Sequence, residues 1–385
     1  MAQVYFVSEG SHLCVVKPDF FGQTANFHLL YLLSQLAGWL SGVLPWHLRF
    51  AITRWTSSDV DKIVQYNFLR SLLGVLPLSL AAAAPAYVAD KSVAVTAIVE
   101  HKALDAVRDG VKDELKSAGF EAGRNLKFEY QSAQGNPGTA AQIARKFVGE
   151  RPNVIVAIAT PSAQAVVAAT KDIPVVYSAV TDPVAARLVK SWDASGSNVT
   201  GVSDASPLEK HLELIKRVVP GAKRVGVIYS PGEANSVSIV EELKRAMPAS
   251  GLTLMEGAAA RTVDVASAAQ SLVGKVDVFY APTDNNVMSA FEGIVKVAQQ
   301  AKIPVVAADT DAVARGAAAA LGLNYYDIGR QTGKIVVRVL NGEAAGRIAS
   351  QTSTTFELHV NPAAALKQGV TLSDELVKSA KVVIK

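Results

Sequence analysis

Short polar clusters stand directly after apolar runs in this chain, and their side chains are hydroxyls, amides and carboxylates. Val154–Ile158 runs into Thr160-Pro161-Ser162-Ala163-Gln164, and Ile173–Tyr177 into Thr181-Asp182. Val225–Ile228 leads to Glu233, Asn235 and Ser236, and Val276–Tyr280 to Asp284 and Asn285. Pro161 has a preset φ and can open a helix, which would leave free N–H groups at Ser162, Ala163 and Gln164. A helix N-terminus beside hydroxyls is a carboxylate site. The carboxylates of Glu233 or Asp284 could hold an ammonium through charge-assisted hydrogen bonds. Together these groups suit the grip of a small zwitterion. Each of them is also a good helix cap, so the signal lies in their convergence.

Bond-breaking chemistry has no comparable signature. The sequence contains no P-loop, no G-x-G-x-x-G after the first strand, no G-x-S-x-G and no H-E-x-x-H. Its one cysteine, Cys14, excludes a disulfide framework. His101, His211 and His359 are far apart, so no metal site and no cofactor is expected. A net charge of +4 over 385 residues, without a dense Lys/Arg tract, argues against a nucleic-acid face.

The polar clusters need elements to position them. From residue 90 on, apolar runs alternate with amphipathic helical patterns. Ser92–Val99 reads as a strand, and Ala103–Ala118 as a helix with Leu104, Val107, Val111 and Leu115 on one face. Leu126–Tyr130 is extended, Thr139–Val148 helical, and Ala163–Thr170 helical again. Ser195–Ser203 is small, polar and turn-rich, a break between halves. The pattern then restarts with a helix over Leu208–Val218. Each half closes on Ile-Pro-Val-Val, at Ile173–Val176 and Ile303–Val306. This reads as an α/β protein of two Rossmann-like lobes, each a parallel sheet flanked by helices. Lobe one is expected over 90–204 plus 316–347, and lobe two over 205–315 plus 348–385. The helix Ile328–Leu340 and the extended stretch Thr352–Val360 would then cross back. That makes a three-segment hinge near Val202–Ala205, Gly316–Leu323 and Arg347–Thr352. The sequence leaves open which lobe the helix joins.

The N-terminal region reads separately. Residues 64–86 carry Arg70, an apolar stretch and Ala84-x-Ala86, the layout of a secretory signal peptide. Phe27–Leu48 is a second apolar stretch with no charged residue, long enough to span a bilayer. Residues 1–63 are expected to be a mis-assigned extension upstream of the true start, or alternatively a membrane anchor. The expected location is a bacterial periplasm.

Several motifs in order resemble a known family. They are Glu100-His101-Lys102-Ala103-Leu104-Asp105, Ala159–Gln164, Val180-Thr181-Asp182-Pro183, Asn198–Val202, Glu233–Ser236, Asp284-Asn285 and Gly322–Gly333. The stretch from about 90 to 380 is similar to ABC-transporter substrate-binding proteins of the tryptophan-binding type. That resemblance implies a type I periplasmic-binding fold, a ligand between the lobes, no catalysis, and a monomer that docks on a membrane ABC permease. It implies an amino acid, Trp or Phe, as ligand. Its carboxylate would meet Ser162, the backbone at Ala163, and Thr181, with Thr160 beside them. Its ammonium would meet Asp284 or Glu233, with Asn235, Ser236 and Asn285 completing lobe two. Asp182 and His101 are further candidates. Two rival readings stand beside this one, a membrane-anchored ligand sensor and an α/β enzyme acting on a small polar substrate. A sugar ligand is a third, since Tyr177, Tyr229, Tyr280 and Tyr325 could stack on a ring.

Overall fold

Two sheets, each built mainly from consecutive β-α units, hold the site residues at the ends of their strands. The computed structural model describes residues 91–384 and, as backbone only, two short antiparallel strands, β1 (Phe6–Glu9) and β2 (His12–Val15). The chain divides into two units, Met1–Tyr87 and Val88–Lys385. The expected signal peptide at 64–86 and the apolar stretch Phe27–Leu48 lie outside the described residues. Among the described residues, no helix is long and apolar enough to cross a membrane.

The first sheet contains β3 (Lys91–Ala97), β4 (Leu126–Ser132), β5 (Val154–Ile158), β6 (Val175–Ser178), β7 (Val199–Ser203) and β13 (Gln351–Thr352). Its order is β13-β7-β6-β5-β3-β4, and every pairing is parallel. β5, β6 and β7 are buried along their whole length, as expected where helices cover both faces. The second sheet contains β8 (Arg224–Tyr229), β9 (Thr253–Ala258), β10 (Val278–Ala281), β11 (Val305–Ala307), β12 (Ala319–Leu323), β14 (Phe356–Val360) and β15 (Val382–Val383). Its order is β15-β14-β12-β11-β10-β8-β9, with β14 antiparallel to β12.

The repeated Ile-Pro-Val-Val device is used in the same way twice. In each copy the strand starts after the proline, at Val175 or Val305. Proline has no N–H to give a ladder, but its carbonyl still accepts. Pro174 O takes the Ile155 N–H, and Pro304 O takes the Phe279 N–H, both at 2.9 Å.

Three corrections to the expected organisation follow. Val199–Ser203 is not part of a break but a fully buried strand paired with β6. Its own small residues hide it: Gly201 sits so close to Tyr177 that an added Cβ would lie 2.2 Å from the Tyr177 carbonyl oxygen. Second, Gly316–Leu323 is neither hinge nor lobe one, because β12 pairs with β11 in the second sheet. The crossover there is at Asn324, which caps the next helix by accepting the Asp327 N–H. Third, Gln351–Thr352 pairs with β7 in the first sheet, so the last crossover comes after Thr352.

The helix Tyr325–Leu340 packs on the helix Lys102–Ser117, and so belongs with lobe one. Glycines at the crossing explain the choice. An added Cβ at Gly110 would lie 2.3 Å from Tyr326 O, and one at Gly329 would lie 2.2 Å from Val107 O. Only glycine permits backbones that close. The chain therefore passes between the sheets three times, after β7, after β12 and after β13.

Candidate functional site

On the lobe-one side, the chain leaves β5 and β6 through turns that a side chain resists. Ala159, between β5 and the helix Thr160–Ala169, has φ 70° and ψ 157°; Ala179, after β6, has φ 51°. Non-glycine residues in such conformations cost on the order of 1–3 kcal/mol and cluster at functional sites. Both alanines line the cleft between the lobes, and so do Thr160, Thr181 and Asp204. Asp204, directly after β7, is buried, and burial pushes its carboxyl above the usual range. Two hydroxyls oppose that shift: Thr181 donates to Oδ1 at 3.0 Å and Tyr325 to Oδ2 at 2.9 Å.

On the lobe-two side, the polar residues mostly bind one another. Asp284 accepts from Ser230 N (2.6 Å), Ser230 Oγ (3.0 Å), Ser236 Oγ (2.6 Å) and Val287 N (2.8 Å). Glu233 accepts from the Asn235 and Asn285 side chains and from Asn285 N. Burial, followed by the charge of Asp284, raises the Glu233 carboxyl well above its ordinary value. This network ties the turns after β8 and β10 into one piece. Two groups remain available to the cleft. Asn235 anchors its Nδ2 on Thr283 O at 3.1 Å, but its buried Oδ1 has no partner among the described residues. Asp309, after β11, is buried and accepts only the Asp311 N–H at 2.9 Å. Burial and the neighbouring charge of Asp311 push its carboxyl up to about 7.

These residues meet around one cleft, with His101, Leu104, Met288 and Tyr325 on its walls. Burial, and then Arg315, hold the His101 imidazole down to about 4, so it is neutral at pH 7. Thr160 Oγ1 is also buried and without a partner. Unpaired buried polar atoms cost about 1–3 kcal/mol each, so a group that reached Thr160 Oγ1 or Asn235 Oδ1 with a hydrogen bond would be favoured. The enclosed space is about 20 Å³, room for a water-sized group and little more. Two contacts span the lobes at the rim, Lys102 Nζ to Asp311 at 3.3 Å and Ser238 Oγ to Asp182 at 3.4 Å. Among the described residues, no group of three or more His, Cys, Asp or Glu could hold a metal.

Of the expected site residues, Thr160, Thr181, Asn235, Asp284, Asn285 and His101 line this cleft. Asp284 touches it, but its carboxylate is saturated within lobe two. Glu233 and Ser236 sit behind it as scaffold. The Ala163 N–H, expected free, donates to Ala159 O at 3.1 Å, because the helix starts at Thr160 rather than Ala163. Ser162 is fully buried, with an unpartnered Oγ, yet lies outside the lining. Asp182 caps its own turn through Val184 N and Ala185 N. The sequence reading missed Asp204 and Asp309 as site residues, and named Tyr325 only as a ring that could stack on a ligand. The signal was present: Asp204 follows Ser203 and Asp309 follows Ala307-Ala308 just past strand ends, where open α/β sheets bind ligands.

A cleft between two parallel-sheet lobes, joined by three crossovers and lined at the strand ends, defines a type I periplasmic-binding fold. Structures under a fifth identical share that fold, among them a Bacillus halodurans solute-binding protein (16% identity, TM-score 0.54, covering 71% of this chain and 96% of that one). Residues 92–384 match the family described as ABC transporter substrate binding protein, and the chain belongs to it. It is 40% identical over 271 residues to a tyrosine-binding protein of Clostridioides difficile, covering 70% of this chain and 79% of that protein. A conserved domain protein from Vibrio cholerae is 50% identical, with TM-score 0.76, over 76% of this chain and 99% of that one. A Streptococcus pneumonia ABC domain in complex with L-Trp is 34% identical, with TM-score 0.74, over 77% of this chain and 100% of that one. A ligand-free, open substrate-binding protein from Clostridium difficile is 40% identical, yet its TM-score is 0.59 over the same 77% of this chain and 99% of that one. The more identical of these last two superposes less well. By whole-chain superposition this structure is nearer to the Trp-bound domain than to the ligand-free, open one.

Proposed function

We propose that this chain is the exported ligand-capturing component of an ABC importer and that its ligand is an aromatic amino acid. The observation that carries this reading is that two buried polar atoms without partners, Thr160 Oγ1 and Asn235 Oδ1, meet one cleft from opposite lobes, with the Asp309 and Asp204 carboxyls on the same wall. Thr160 Oγ1 and the first turn of its helix face a carboxylate; Asp309, with Asp204, faces an ammonium; Asn235 Oδ1 supplies a further acceptor. Each lobe holds part of the zwitterion, so only the closed form satisfies both, and the ligand shifts the equilibrium by that difference. The relatives' recorded ligands, tyrosine and L-Trp, agree with this chemistry. In this reading residues 64–86 direct export to the periplasm, and a monomer delivers its cargo to an inner-membrane permease. The test is thermal denaturation of the purified chain with a panel of amino acids, followed by native mass spectrometry. The expected result is a melting-temperature rise with L-Trp or L-Tyr and recovery of the ligand unchanged. No rise with any amino acid would overturn the reading, and a converted ligand would point to an enzyme.

A further inference from the structure

We infer that a second chamber, opening off the cleft beside Asp204, receives the ring of the ligand's side chain. The inference rests on the amino-acid reading above and adds where the specificity lies. The chamber is partly open to solvent and offers about 150 Å³. That is the volume of a cavity that accepts a benzene ring, here with polar as well as apolar walls; the 20 Å³ at the zwitterion groups is too small for one. Thr181, Asp204 and Thr283 line both spaces, so one molecule can reach from one into the other.

The walls suit an aromatic ring. Trp192, Leu208, Ile239 and Tyr280 supply apolar surface, and Asp182 and Glu242 supply acceptors. Trp192 is 40% exposed, the most exposed aromatic side chain among the described residues, yet its backbone is pinned, because its carbonyl accepts the Ser350 N–H at 3.0 Å. An exposed indole on a fixed loop offers a face for offset stacking. Trp192 and Asp182 come from lobe one, while Ile239, Glu242 and Tyr280 come from lobe two. A ring between them would add to the reward for closure. Asp182 Oδ1 is occupied by two backbone N–H groups, but Oδ2 has only the 3.4 Å contact from Ser238. It can accept an indole N–H or a phenol O–H.

The test is calorimetric titration of the full chain with L-Trp, L-Tyr and L-Phe. It compares wild type with Trp192→Ala, Ile239→Trp and Asp309→Asn, each checked by a cooperative melt to be folded without ligand. Trp192→Ala should weaken L-Trp and L-Tyr at least tenfold, since a stacked aromatic contact and its buried area are lost. Ile239→Trp, which fills the chamber, should do the same by a different route. L-Phe, lacking a ring donor, should bind wild type more weakly than L-Trp. Unchanged affinity in both chamber variants, with binding lost in Asp309→Asn, would overturn the chamber and leave the amino-acid reading standing. Failure of wild type to bind any of the three would overturn both.

Discussion

The two lobes end their strands in similar polar loops but use them differently. In lobe two, Ser230, Glu233, Asn235, Ser236, Asp284 and Asn285 form a hydrogen-bonded network that faces inward on itself. In lobe one, the corresponding turns bend through Ala159 and Ala179 at positive φ, and Thr160 Oγ1 is left without a partner. The cleft is thus a rigid acidic shelf facing a strained rim of hydroxyls. A carboxylate that looks available in sequence is available only while its oxygens keep free lone pairs, and Asp284, with four donors, and Asp309, with one, stand on opposite sides of that line.

Breaking the ligand-facing half should produce the largest effect. Asp309→Asn should reduce amino-acid affinity by the equivalent of about 2–5 kcal/mol, the cost of truncating one partner of a buried charge pair, as read by titration. The same substitution should raise the stability of the ligand-free protein at pH 8. The folded carboxyl titrates at about 7 against an ordinary 3.8, so its ionisation destabilises the fold increasingly as pH rises between those values. A ligand-free melting temperature lower than wild type at pH 8 would contradict this.

Breaking the scaffold half should act on stability instead. Asp284→Ala removes the acceptor for Ser230, Ser236 and Val287 and should cost about 2–4 kcal/mol in denaturant unfolding, given the penalty for orphaned buried donors. If stability held and only affinity fell, Asp284 would belong to the ligand after all.

A smaller effect separates the two carboxylates by pH. An ammonium beside Asp309 favours its ionised form, so affinity should weaken by up to about tenfold per unit as pH falls below 7. Titration across pH 5.5–8 checks this, and Asp309→Asn should flatten the profile. The smallest effect concerns the strained rim. Ala159→Gly should stabilise the protein by about 1 kcal/mol or less, because relief of the positive-φ strain is partly offset by the entropy of a freer unfolded chain. Ligand affinity should change little, and a large loss would mean that the strain itself shapes the site.

Most of the architecture was readable from the sequence. Apolar runs alternating with amphipathic helices required parallel sheets, and the doubled Ile-Pro-Val-Val marked the strand starts after Pro174 and Pro304. The strand at Val199–Ser203 escaped notice because glycine and hydroxyl residues conceal a buried strand when close backbone contact replaces side-chain packing. The fate of the helix Tyr325–Leu340 was unreadable for a related reason. Gly110, Gly329 and Gly333 are separate letters until two helices approach each other.

By itself, then, the sequence determined the alternation of elements, the two lobes and the polar loops at strand ends, since periodicity and turn chemistry are local. Only the tertiary structure decided which polar groups remain free. Hydrogen-bond saturation depends on partners far away in sequence, 54 residues for Ser230 and Asp284 and 121 for Tyr325 and Asp204. Burial, which lifts Asp309 to about 7, depends on every element packed around it. The same packing fills the Asp284 carboxylate with donors from its own lobe and sets Asp204 and Asp309 on the cleft wall.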